Sequence, residues 1–132
     1  MWVYGPPGAP KQKVPAGVKA SVDRKATELV ETVLKPKCIK SPPDEELFNY
    51  VVDIYTKWYR NYLYFCAKYC CPGPNARSAY FESKFARMEY VGGDAYFNLS
   101  FMRHTGQWIG IYQDIPLDEC LRAIRNDPWF QL

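Results

Sequence analysis

Residues 48–71 read FNYVVDIYTKWYRNYLYFCAKYCC, and the fold turns on this stretch. Val, Ile, Tyr and Phe crowd it, and apolar and polar residues alternate rather than recur every three or four positions. That is the composition and the period of strand, not helix. Arg60-Asn61 interrupts the pattern once, so Phe48–Trp58 and Tyr62–Cys71 are expected as two antiparallel strands joined by a tight turn.

Toward the C-terminus the same grammar repeats. A loop from Pro72 to Ala79 leads into a third strand, Phe81–Val91, and Gly92-Gly93-Asp94 is a strong hairpin signal. In the fourth strand Phe97, Leu99 and Phe101 alternate with Tyr96, Asn98 and Ser100. His104-Thr105-Gly106 then turns into a fifth strand, Gln107–Tyr112. Leu117, Cys120, Leu121 and Ile124 fall at i, i+3, i+4 and i+7, with Asp118 and Glu119 in the first turn and Arg122 and Arg125 in the last. These are the marks of an amphipathic helix.

Toward the N-terminus the period becomes helical. Val22, Ala26, Leu29, Val30, Val33 and Leu34 form one helical face; Ser21 is the expected N-cap, and Pro36 is expected to stop the helix. Lys40 to Asp44 read as a loop. Residues 1–17, with four prolines and three glycines, are too broken for helix or strand and are expected as an extended arm carrying Trp2, Val3 and Tyr4. Residues 18–132 are then one α+β domain. A five-stranded antiparallel sheet is flanked by an N-terminal and a C-terminal helix, and both helices are expected on one sheet face.

Composition narrows the function classes. A chain of 132 residues can bury one core without staples, and 48% hydrophobic with 23% charged residues is globular rather than disordered. A net charge of +3 is too small to imply nucleic acid by itself. No run of about 18 apolar residues is present, so no membrane span is expected. The N-terminus lacks a basic start followed by an apolar core, so no signal peptide is expected and the cytoplasm is the expected location. Five cysteines without framework spacing are expected as reduced thiols, and no cofactor is expected.

The cysteines invite a metal or nucleophile reading. Cys66 and Cys70 would share a strand face, but four residues of strand rise place them about 13 Å apart, whereas thiolates bond one zinc at about 2.3 Å. A Cys70–Cys71 disulfide is too short across its Cα atoms. The simpler account is small apolar side chains ending a strand. A site uniting Cys70 or Cys71 with His104, the lone histidine, would have to be assembled by the fold.

Glu82-Ser83-Lys84 on a strand, with Asp53 on an earlier one, resembles the core of the PD-(D/E)xK nucleases. That resemblance implies carboxylates Asp53 and Glu82 on a divalent metal and Lys84 positioning the attacking water. In that family a helix follows the E-x-K strand, whereas here two more hairpin strands follow. A cross-strand ion pair is the simpler account of the same residues.

The aromatic share is the unusual number. At 17% aromatic, with 11 Tyr and 4 Trp, rings are abundant, and composition alone does not say whether they serve the core or a binding surface. Lys57, Trp58, Tyr59, Arg60, Tyr62 and Tyr64 interleave charge and rings around the first hairpin, with Arg87, Arg103 and Lys84 adding charge from nearby. If the helices cover one face, Tyr50 or Tyr55, Tyr62, Tyr64 and Tyr96 are left on the other. Trp, Tyr and Arg dominate interface hot spots. The sequence therefore favours a non-enzymatic module that binds a protein partner or its own copy through this face. Single-stranded nucleic acid on the Lys57–Phe65 hairpin is the alternative, and the metal-dependent nuclease is the third reading.

Overall fold

In the computed structural model, residues 13–39, 48–73 and 78–132 are described; the expected arm falls outside them up to residue 12. The strands are β1 (Tyr50–Tyr59), β2 (Tyr62–Cys70), β3 (Tyr80–Gly92), β4 (Tyr96–Met102) and β5 (Trp108–Pro116). They form one antiparallel sheet in the order β1-β2-β3-β4-β5, a meander in which each strand pairs with its chain neighbour. Helix α1 (Ala16–Leu29) precedes the sheet. Helix α3 (Leu117–Asn126) follows it and ends in a 3-10 turn (Pro128–Phe130). The expected α+β architecture is the one observed.

Both helices lie on the same face. Val22, Ala26, Leu29, Val30 and Leu34 from the N-terminal helix and Leu117, Cys120, Ala123 and Ile124 from α3 share one core with Ile54, Leu63, Phe65, Ala86, Met88, Tyr90, Phe97 and Leu99. Phe65, Phe97, Leu63 and Met88 are fully enclosed, and such side chains stabilise a fold by roughly 1.5–3 kcal/mol each. A Lys25–Asp118 ion pair at 3.1 Å links the outer edges of α1 and α3.

The N-terminal helix departs from expectation at both ends. It starts at Ala16 behind an extended Pro15, and Ser21 lies inside it. Pro36 does not stop it: a π-helical turn (Val30–Leu34) and a short helix α2 (Lys35–Cys38) carry it on. The wide turn is closed by the Lys35 N–H on the Val30 carbonyl. Proline lacks an N–H and crowds the carbonyl four residues back, so widening the preceding turn lets the helix pass it.

Strand β5 also runs four residues beyond the expected Tyr112. Asp114 adopts a left-handed φ of 54°, with its N–H bonded to the Asn98 Oδ1 at 2.9 Å, and pairing resumes at Ile115 and Pro116. A polar pair that reads as a loop is a bulge here, and Pro116 hands the chain to α3.

Candidate binding face

Strand alternation assigns the side chains. Leu63, Phe65 and Ala67 of β2 point into the core, so Tyr62, Tyr64, Cys66 and Lys68 point to the opposite face. On β1 the register places Asp53 opposite Lys68, Tyr55 opposite Cys66 and Lys57 opposite Tyr64, all on that second face. No described helix packs there.

Strand β3 contributes through a bulge. Cys66 pairs with Lys84 and Phe65 with Ala86, so Phe85 is the extra residue. Phe85 is core, 8% exposed, with its ring 6.2 Å from that of Phe65. Two consecutive residues, Phe85 and Ala86, thus face inward, and the alternation resets. Lys84 and Arg87, three positions apart, share the open face only for this reason. From β5, Trp108 joins them, since its register partner Met102 has the parity of Asn98 and Ser100.

A cluster results. The Arg87 guanidinium lies 5.0 Å from the Tyr62 ring and 4.9 Å from the Trp108 ring. Tyr64 sits between, 6.0 Å from Tyr62 and 5.8 Å from Trp108, and the Lys84 ammonium is 5.6 Å from its ring. The Arg87 Nε is buried and has no hydrogen-bond partner among the described residues. Alongside, Glu82 accepts bonds from Lys57 Nζ at 2.7 Å and from the Tyr55 hydroxyl, with Lys84 Nζ 3.6 Å away. Those bonds, from Lys57 first and Tyr55 second, hold the Glu82 carboxyl below its usual range. Tyr55 is pushed up, mainly by desolvation and then by its bond to Glu82.

Several expected residues go elsewhere. Trp58 turns to the helix side, where its Nε1 donates to Asp23 and Lys19 Nζ lies 5.3 Å over its ring. Arg60 and Tyr59 pair with each other at the hairpin tip, 5.2 Å apart. Arg103 is not on a strand but in the β4–β5 turn. There it lines a groove at the end of the sheet with Lys84, His104 and Trp129.

Asp53 and Glu82 line one shallow cleft of about 360 Å³, but Lys68 stands between them in the register. Two strand spacings separate their backbones by about 10 Å. Asp53 is engaged by Lys35 Nζ at 3.4 Å and Glu82 by Lys57. The five cysteines are free thiols, and His104 is exposed in its turn. Among the described residues no three His, Cys, Asp or Glu side chains converge as a metal site. Burial pushes the Cys66 thiol up to about 11, with the Glu82 charge adding to it. Desolvation pushes Cys120 to about 12.

Trp108 was not among the expected site residues. Its only signal is its parity with Gly110 on a strand whose bulges hide the period.

Residues 14–131 match the family described as Domain of unknown function (DUF3024). The chain belongs to that family. The DUF3024 match spans both helices and all five strands, so the open face lies wholly within the family domain. No curated protein and no solved structure matches the chain. No helix among the described residues is long and apolar enough to cross a membrane.

Proposed function

We propose that this DUF3024 domain is a non-enzymatic binding module whose open sheet face takes a protein partner or a second copy of the chain. The observation that carries the reading is Arg87, stacked between Tyr62 and Trp108, with its Nε buried and without a hydrogen-bond partner among the described residues. A guanidinium clamped between two rings is a fixed donor for a partner carbonyl or carboxylate. Arg, Tyr and Trp are also the side chains that carry interface energy. Replacing Tyr64 and Trp108 together by Ser removes the rings while leaving the enclosed core intact. The double variant is expected to keep its melting temperature within a few degrees and to lose concentration-dependent sedimentation. If it unfolds instead, the rings are structural and the reading loses its basis.

One observation favours the second reading, single-stranded nucleic acid on the same face. Cations and rings interleave there, with Lys84 over Tyr64 and Arg87 against Tyr62 and Trp108. Bases stack on such rings while cations hold phosphates, and affinity would then fall steeply with salt.

A further inference from the structure

Away from the centre of the open face, a groove of about 700 Å³ runs between the start of α1 and the β1–β2 turn. It is lined by Lys13, Val14, Lys19, Arg60, Asn61 and Tyr62. The three cations among its described residues come from three places: the segment before α1, α1 itself and the hairpin tip. Among the described residues no acidic side chain is in the lining. The other grooves among the described residues differ. The cleft between α1 and α3 sets Arg24, Lys25, Arg122 and Arg125 against Glu28 and Asp118, and the groove at the end of the sheet includes Glu82.

Two of the three cations are held in place by rings. Lys19 lies over Trp58 and Arg60 over Tyr59. Trp58 is itself fixed by its bond to Asp23. Three like charges lining one concavity give it a positive potential, which a multiply charged anion offsets. A single carboxylate would offset one of them, whereas a phosphate chain can meet all three. Lysine serves as a point charge and arginine as a fork for its oxygens. Val14 and Tyr62 are the less polar part of the lining, and the volume falls within the roughly 300–1,000 Å³ of small-molecule sites.

We propose that this groove holds the phosphates of a phosphate ester on Lys13, Lys19 and Arg60, with the organic body of the ester against Val14 and Tyr62. The ester is either a free nucleotide or the backbone of a single strand. This goes beyond the open-face reading and does not rest on it, since a small ligand here touches neither Arg87 nor Trp108.

The test is calorimetric titration of the intact chain with ATP, with inorganic triphosphate and with a short oligothymidylate, all without divalent metal. Each is run at about 50 mM and about 300 mM salt, because counterion release makes phosphate binding fall as salt rises. ATP is expected to bind more tightly than triphosphate, with both weakening at the higher salt. Lys19→Ala and Arg60→Gly are each expected to weaken ATP about tenfold, the scale of one lost charge-assisted contact. Both leave the fold intact, because Ala is a good helix former and Gly accepts the φ of 53° at Arg60. Binding of the oligothymidylate with no heat from ATP assigns the strand as the source. The proposal is overturned if the folded chain takes none of the three probes at low salt, or if neither substitution changes the affinity. Equal affinity for ATP and triphosphate overturns the role given to Val14 and Tyr62.

Discussion

A carboxylate on the open face illustrates how single residues are tuned. Glu82 is held below its usual value of 4.5 by Lys57 and Tyr55, so the folded state binds its proton less readily than the unfolded chain. The stability this confers is complete above the ordinary carboxylate range and is lost as pH falls through the folded value. Glu82→Gln should therefore lower stability toward urea near neutral pH, and the gap from the parent chain should close as pH falls through the folded value. A gap that persists in acid would show that the hydrogen-bond geometry, not the charge, is what matters. The cysteines give a second residue-scale expectation. Cys66 and Cys120 are buried and raised to about 11 and about 12, so few of their thiols are ionised near neutrality. Alkylation of the native chain, mapped by mass spectrometry, should label Cys38, Cys70 and Cys71 well before Cys66 and Cys120. Early labelling of Cys66 would mean that the sheet face opens there.

At the scale of elements, the chain repeatedly continues where local signals say stop. Pro36 is passed by a π-helical turn, Asp114 by a bulge, and the β3–β4 turn places Ala95 at φ 78°. A β-carbon there is strained, while the Ala95 carbonyl accepts the first N–H of α3, from Leu117, at 3.0 Å. Ala95→Gly should retain that bond and raise stability by about 0.5–1 kcal/mol in urea unfolding. A destabilised variant would mean that the Ala95 methyl contributes more to packing than the left-handed backbone costs. The bulge at Phe85 explains how Arg87 comes to share the open face with Lys84. Glu82 and Lys84 were correctly placed on one face by their spacing. Arg87 falls on the wrong parity until an extra residue is inserted, and nothing in the local sequence marks Phe85 as that residue. Trp58 was misplaced for a similar reason: its environment is made by Asp23 and Lys19, far away in sequence.

For the whole molecule, hydrophobic period and turn chemistry were enough. Two helices on the outside and five short strands between them can satisfy their apolar faces in few ways, and the meander with both helices on one side is the simplest. Most core residues of both helices were legible from spacing alone, but Ala123 was not, and Val33 and Leu121 are only half-buried. The opposite face was legible as aromatic but not as a constellation, because Tyr62, Tyr64, Arg87 and Trp108 come from three strands whose registers depend on bulges. The groove of Lys13, Lys19 and Arg60 was not legible at all, since its cations are brought together only by the docking of α1 beside the hairpin.

The central claim is that the open face is the surface through which this domain associates. Its most direct test is sedimentation velocity of the intact chain over a wide concentration range, alone and with a short oligothymidylate at low salt. A sedimentation coefficient that rises with protein concentration, is indifferent to the oligonucleotide and is abolished by the Tyr64→Ser, Trp108→Ser pair is the predicted result. A chain that stays monomeric at every concentration, and moves only with the oligonucleotide, would contradict it and give the face to nucleic acid.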